Sequence, residues 1–468
     1  MKKYELLEVV LDKIIGGGQA LGTLPDGRKL FAWGGLPGEQ VVVQPTKIKS
    51  NYVEGIVSEV LVASPERVQP RDPDSYLSTS PWQVMSFQAE QRYKAALIKE
   101  AFELHHLSLP EPIDIYTDGR DYHYRNKVEF SWYGQTDATS GADTLDLAFF
   151  RRGSKGKIIV DDSALLPPEM VNLARTIRDI LQKSGVTARS LKTLLIRCDA
   201  EKNCVWQLYV KDAPCDFADV LIKANLPAQG GEIIYSTPKS PASVITDRLA
   251  STGNIVLQDS ILGVPFRYAT EGFFQVNLPL YEQALRNMKR WVEEPLAASL
   301  SETSAARVSA VRTLAETRSE AVSEKDGSEK ASVADLYSGV GSIGLTIGGE
   351  GVTLVEVNEH AVREMKRNIE ELGINATPVL AASEQALDYI TGDKIIIVDP
   401  PRAGLHADVT ARLLEAKPPR IIYLSCNPVT QARDIALLNE QYTLKHYQGY
   451  NFFPRTPHIE GLAILDRI

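Results

Sequence analysis

The hydrophobic and polar positions of the chain change period twice. From residue 332 onward, short apolar runs alternate with amphipathic ones. Strands are predicted over 333–336, 352–355, 394–398 and 420–424, and helices over 359–372, 408–416 and 429–439. In the first of these helices Val362, Met365, Ile369 and Leu372 share one face, and Gly373 is the expected stop. Strands that alternate with helices predict a parallel sheet covered on both faces, so an α/β, Rossmann-like domain is expected over 271–468. Ligands of such sheets lie beyond the carboxyl ends of the strands, which directs attention to those ends.

The earlier stretches have other rhythms. Over 63–270 helices (90–107, and 168–184 begun by prolines) mix with strands (124–132, 145–151, 157–160), the pattern of a central α+β domain. Residues 1–62 read as short β-segments divided by Gly16-Gly17-Gly18, Pro25-Asp26-Gly27 and Leu36-Pro37-Gly38-Glu39, with a strand over 40–44. A small closed β-barrel fits best. Such barrels often carry oligonucleotides, with Lys47 and Lys49 as candidate contacts, yet a purely structural module fits the pattern equally well. Residues 296–331, rich in Ser, Ala, Glu and Arg, read as a surface insertion without chemistry.

Composition narrows the classes. At 468 residues the chain exceeds the size of one core, so about three domains are expected. Hydrophobic residues at 44% and charged residues at 24% exclude wholesale disorder. The first residues lack an apolar signal core and no stretch is long and apolar enough to span a bilayer, so a cytoplasmic protein without membrane partners, monomeric by default, is expected. A net charge of −9 argues against gripping polyanions through overall charge; any RNA contact must be local. Four cysteines, Cys198, Cys204, Cys215 and Cys426, are too few and too irregular for a disulfide framework and show no metal-ligand spacing, so no metal is expected.

Chemistry gathers at the strand ends. After the first strand of the α/β region comes Asp335-Leu336-Tyr337-Ser338-Gly339-Val340-Gly341-Ser342-Ile343-Gly344, whose glycines allow close backbone approach to a ligand. Gly339, Gly341 and Gly344 have the GxGxxG spacing, which leaves a nicotinamide-dependent oxidoreductase open, and Glu356 at the end of the next strand suits ribose hydroxyls in either class. Asp399-Pro400-Pro401-Arg402 ends the 394–398 strand, and its prolines forbid a regular helix there. Cys426, between Ser425 and Asn427-Pro428, emerges from the last parallel strand on the same edge; the other three cysteines have no such setting and are assigned to structure. Arg455-Thr456-Pro457-His458-Ile459-Glu460 precedes a closing apolar strand and by itself reads as a polar turn. Two basic clusters, Tyr124-Arg125-Asn126-Lys127 and residues 151–157, read alone as solvated turns more readily than as RNA contacts.

Together these residues resemble the RNA uridine-5-methyltransferase family, over nearly the whole chain. Asp399-Pro400-Pro401-Arg402-Ala403-Gly404 and Thr456-Pro457-His458-Ile459-Glu460 flank Ser425-Cys426-Asn427-Pro428 in the family's order, and Phe274-Gln275-Val276-Asn277 is similar to the segment that opens its catalytic domain. Leu36-Pro37-Gly38-Glu39 and Ser64-Pro65-Glu66-Arg67-Val68 resemble its TRAM domain, an OB-like RNA-binding barrel. The resemblance implies a class I methyltransferase fold, S-adenosylmethionine as cofactor and tRNA or rRNA as substrate. It makes Cys426 the nucleophile and Glu460 the base, and gives Gln275, Tyr337, Gly339, Gly341, Ser342, Glu356 and Asp399 to the cofactor. Arg125, Asn126, Lys127, Arg402 and His458 are then expected near the RNA. A non-catalytic RNA-binding protein on the same scaffold stands as a further alternative. Many barrel-bearing members hold an iron-sulfur cluster through four cysteines near 76–83 and 161–163; this chain has none there, so no cluster is expected.

Overall fold

In the computed structural model, residues 5–136, 143–296 and 331–468 are described; the insertion read over 296–331 lies almost wholly outside them. The chain first closes a five-stranded barrel from β1 (Leu7–Ile14), β2 (Ala20–Thr23), β3 (Lys29–Trp33), β4 (Gln40–Ile48) and β5 (Tyr52–Val62), in the order β1-β2-β3-β5-β4. Val41 and Val43 alternate inward with Leu30, Ala32 and Val53. The two barrel motifs meet in an ion pair: fully buried Glu39 accepts from Arg67 Nε at 2.5 Å and Nη2 at 2.7 Å, and from the Leu36 and Ser64 amides. A buried carboxylate requires such saturation, which explains why both turns carry charge. β4 runs past residue 44 because its ladder with the neighbouring β5 continues to Ile48 opposite Val53, and there Lys47 also pairs with Glu54 at 2.6 Å; Lys49 stays exposed.

A seven-stranded sheet follows, of order β13-β12-β11-β10-β7-β8-β9. After the short β6 (Ile115–Tyr116), which pairs elsewhere, its strands are β7 (Lys127–Tyr133), β8 (Asp146–Phe150), β9 (Lys157–Ile159), β10 (Leu191–Cys198), β11 (Cys204–Val210), β12 (Gly230–Tyr235) and β13 (Asp247–Gly253). With the helix Pro168–Lys183 they enclose a core that includes Trp132, Ile196 and Trp206. Cys198 and Cys204, read from the sequence as unpaired, face each other across the β10–β11 hairpin and are disulfide-bonded; only the hairpin register reveals it. β7 begins at Lys127 rather than 124: the Arg125 and Asn126 amides donate to Leu165 O and Val276 O outside the sheet, although Asn126 O still accepts from the Cys198 amide of β10.

The helix Phe87–Glu103 starts at Ser86, whose hydroxyl accepts from the Ala89 amide, and Leu107 falls outside it beyond the left-handed His106. It packs not on the seven-stranded sheet but between the barrel and the last sheet, where Ile98 and Phe102 join a core with Trp82, Val84 and Tyr442. The stretches near 76–83 and 161–164 are tied by Asp72: it accepts from the Ala164 amide and from Gln83 Nε2 at 2.8 Å, and Gln83 also donates to Ser80.

The hairpin β14 (Val256–Ile261)–β15 (Val264–Ala269) and the helix Leu278–Glu293 lead into the third sheet. Its strands β16 (Ser332–Leu336), β17 (Val352–Glu356), β18 (Ala376–Leu380), β19 (Lys394–Val398), β20 (Arg420–Ser425), β21 (Tyr442–Tyr450) and β22 (Glu460–Arg467) stand with β6 in the order β18-β17-β16-β19-β20-β22-β21-β6. The first five are parallel and β22 inserts antiparallel between β20 and β21. The helix Glu359–Leu372 ends at Gly373 with φ 61°. Strand order reverses at β16, so the crevice lies above β16 and β19.

Candidate active site at the carboxyl edge of the third sheet

The turn after β16 is built mainly from backbone. Tyr337, Gly339 and Gly341 have φ of 63°, 58° and 86°, the left-handed region that glycine enters freely and tyrosine does not. Strain at Tyr337 persists because the Ser338 amide donates to the Val355 carbonyl and its hydroxyl to Asp335 O. Glu356 closes the crest, accepting from the Gly339 amide at 2.9 Å and the Asn358 amide at 2.7 Å. A carboxylate offers about four acceptor positions, so two backbone donors leave capacity for hydroxyls. Beneath the turn, fully buried Asp335 accepts from the Gly344 amide, and burial pushes its carboxyl up to about 8. Ser342 is hydrogen-bonded to Tyr281 at 2.9 Å.

Three further groups meet beside this turn. Asp399 leaves β19 with its amide donating to Leu336 O, and burial raises its carboxyl to about 7. Ser425 of β20 pairs with Gly461 of β22, so Cys426, one residue beyond, stands opposite Glu460. The Cys426 thiol is partly exposed; burial raises it to about 11, helped by the neighbouring Glu460 and Asp399 charges and opposed by Arg402. Glu460 is buried, and its carboxyl is held well above the usual range by burial and by Asp399, with Arg402 and Lys94 pulling the other way. Arg402 reaches His458, Nη2 to Nδ1 at 2.5 Å. A guanidinium only donates, so Nδ1 accepts and the ring is neutral; burial and Arg402 lower its pKa to about 4.

The segment between β21 and β22 is clamped from distant parts of the chain. Glu90 accepts from the Arg455 amide and Asn451 Nδ2; Lys94 donates to Asn451 Oδ1 and Phe453 O; Trp82 Nε1 reaches Gly18 O in the barrel. The Arg455 guanidinium binds Asp121 and Met85 O. Sequence reading missed Glu90, Lys94, Asn451 and Arg455. A buried Glu-Lys pair four residues apart is indistinguishable in sequence from a surface helix pair.

The residues expected near RNA divide into two groups. Asn126 donates to Gln275 O and Lys127 to Glu271 O, so these two brace the 271–276 segment that opens the catalytic region, while Arg125 donates to Lys127 O. Arg402 and His458 stand with Cys426 and Glu460. In the second basic cluster Arg152 lies over the Trp33 ring at 4.1 Å and donates to Leu77 O, so it docks the barrel.

The edge fits a nucleoside-bearing cofactor. A Cβ built on Gly339 meets nothing within 4 Å, so the crest is open, and Asp335 Oδ1 and Asn277 Oδ1 are buried without a partner. No helix among the described residues is long and apolar enough to cross a membrane.

The model of the tRNA (Uracil-5-)-methyltransferase family matches residues 384–468, which contain Asp399, Cys426 and Glu460. An uncharacterized RNA methyltransferase from Fusobacterium nucleatum is 24% identical over 100% of this chain and 97% of its own length. One from Lactiplantibacillus plantarum is 26% identical over 99% and 98%. The fold is that of the Pyrococcus abyssi tRNA (uracil-54, C5)-methyltransferase solved with S-adenosyl-L-homocysteine, at TM-score 0.72 and 20% identity, covering 98% of this chain and 100% of that one. The full-length relatives are RNA methyltransferases and the family match is to a methyltransferase, which speaks against the nicotinamide reading of the glycine spacing. More narrowly, the family match and the RNA methyltransferase relatives support placing the chain in the RNA uridine-5-methyltransferase family.

Proposed function

We propose that this protein methylates carbon 5 of a uridine in tRNA or rRNA through a transient bond between Cys426 and the uracil ring. The observation that carries the reading is the juxtaposition of Cys426 and Glu460 at the ends of two paired strands, beside Asp399 and the glycine turn. Glu356, Asp399, Gln275, Tyr337, Gly339, Gly341 and Ser342 would hold S-adenosylmethionine, which when bound supplies the methyl group as an electrophile. Cys426, as thiolate, adds to carbon 6 of the ring and makes carbon 5 electron-rich enough to be methylated. Glu460 then takes the proton that carbon 5 still carries; the electron pair restores the ring double bond and the Cys426 sulfur leaves as thiolate. The high position of the thiol means that it must lose its proton on demand, and the adjoining carboxylates are the available acceptors.

The target carbon is masked in stacked RNA, so the base must turn out at a cost of roughly a few kcal/mol. Arg402, Arg125 and Arg152, none of them fully buried, lower His458 through their charge, and positive charge there on an acidic chain suits the phosphates flanking such a base. Glu460→Gln tests the reading: incubated with S-adenosylmethionine and RNA from a strain lacking the protein, it is expected to accumulate a protein–RNA adduct that survives denaturing electrophoresis. Unimpaired turnover, or no adduct, would overturn the assignment of the base.

A further inference from the structure

We propose that Lys94 is a positioning residue for Glu460: its buried ammonium ties down the segment that leads into Glu460 and keeps that carboxyl able to accept a proton. The inference rests on the reading of Glu460 as base and adds a group from a helix more than three hundred residues away in sequence.

Lys94 has no exposed surface. Its Nζ lies 3.0 Å from Glu90 Oε1, 2.5 Å from Asn451 Oδ1 and 3.2 Å from Phe453 O. Taking an ammonium out of water costs several kcal/mol, and apolar residues would often hold a core as well, so a fully buried ion pair calls for a role beyond packing. Glu90 has donors besides Lys94: the Arg455 amide is shared between its two oxygens, and Asn451 Nδ2 donates to Oε1. The Lys94 Nζ is thus divided among Glu90, Asn451 and Phe453; burial lowers its pKa, and its charge acts first on Glu90 and then on Glu460.

The charged and titratable groups around Glu460 come from every packed element. Asp399 and Cys426 bring negative or potentially negative charge, the phenols of Tyr281 and Tyr447 are neutral, and the cations are Arg402 and Lys94. Arg402 sits at the exposed rim and is engaged by His458, while the Arg455 guanidinium is turned toward Asp121. Lys94 is thus the fully buried cation acting on the carboxyl, and its removal favours the protonated form.

The test uses the full-length protein, S-adenosylmethionine and RNA from a strain lacking it, and follows formation and decay of the covalent adduct from pH 5.5 to 9.5. Lys94→Met is compared with Lys94→Arg and with Glu90→Gln/Lys94→Met, which removes both buried charges and keeps an acceptor for the Arg455 amide and Asn451 Nδ2. For both Met variants, adduct formation is expected within about threefold of wild type. Decay at pH 7 should slow by about tenfold, with its midpoint moved up by about one pH unit, and Lys94→Arg should regain most of the rate. A decay profile with the wild-type midpoint overturns the proposal, as does a parallel loss of adduct formation and S-adenosylmethionine binding in the double variant. Glu460→Gln is the control: if it traps no adduct, the reading of the base falls, whereas trapping there with unshifted Lys94 variants defeats this inference alone.

Discussion

The two halves of the catalytic edge are assembled in opposite ways. The cofactor half, from β16 to the end of β17, is local: Gly339 bonds to Glu356 and Gly344 to Asp335 within a span of some twenty residues, largely through backbone amides. The half that carries Glu460 is held by side chains from far away: Arg455 bonds to Glu90 at a separation of 365 residues and Lys94 to Asn451 at 357. The first half draws mainly on its own sheet, with Tyr281 of the helix Leu278–Glu293 bonded to Ser342, whereas the second needs the barrel, the Phe87–Glu103 helix and the third sheet to meet. Binding of the methyl donor and the chemistry on RNA should therefore fail separately.

The sharpest way to break that separation is at Cys426. Cys426→Ala is expected to lower single-turnover methylation by at least about 10⁴-fold, because no other free thiol stands beside Glu460 among the described residues. S-adenosylmethionine affinity, measured by calorimetry, should stay within about threefold. If affinity collapses together with rate, the halves are one unit and the comparison fails.

Two glycines sharpen it further. A Cβ on Gly344 would lie 2.2 Å from Leu354 Cδ2 and 2.9 Å from Asp335 Oδ2, inside the cofactor half. One on Gly18, in the first turn of the barrel with φ 95°, would lie 2.3 Å from Pro457 Cβ, in the segment before Glu460. Each Ala substitution should cost about 1–3 kcal/mol by overpacking. Gly344→Ala should weaken S-adenosylmethionine binding by about tenfold. Gly18→Ala should leave binding unchanged and slow methylation by about tenfold, although it is placed more than four hundred residues from Glu460. Equal effects of both on binding would contradict the local character of the first half.

The same contrast governs what was legible in the sequence. Strand period, the glycine turn and the carboxyl-end rule located Tyr337, Gly339, Glu356, Asp399 and Cys426 on one edge, because these depend on local pattern and on one topological rule. Glu460 read by itself as part of a polar turn and gained meaning only through resemblance, since its partner Cys426 is brought to it by the antiparallel insertion of β22. Glu39 and Arg67 carried a recognisable motif, yet their bidentate pairing was invisible for the same reason. The role of Asn126 and Lys127 in bracing residues 271–276, and the cross-strand bond between Cys198 and Cys204, likewise follow from register and docking rather than from period.

Asp399 stands at the joint between the halves and gives the smallest expected effect. Burial lifts its carboxyl to about 7, against roughly 3.9 for an unfolded aspartate. The folded protein then keeps a proton that the unfolded chain releases, so the associated stability is fully present below about pH 4 and is lost as pH rises through about 7. Asp335, lifted to about 8, and Glu460, raised by burial, act in the same direction. The melting temperature of the free protein is therefore expected to fall between pH 5 and 7.5, and Asp399→Asn, which has no proton to lose, should make that slope shallower without flattening it. A sulfonium held against Asp399 favours the ionised carboxylate, so saturating S-adenosylmethionine should flatten the wild-type slope more than S-adenosylhomocysteine, which lacks the sulfonium charge, does. Equal flattening by both would place the sulfonium away from Asp399 and leave the joint between the halves to other groups.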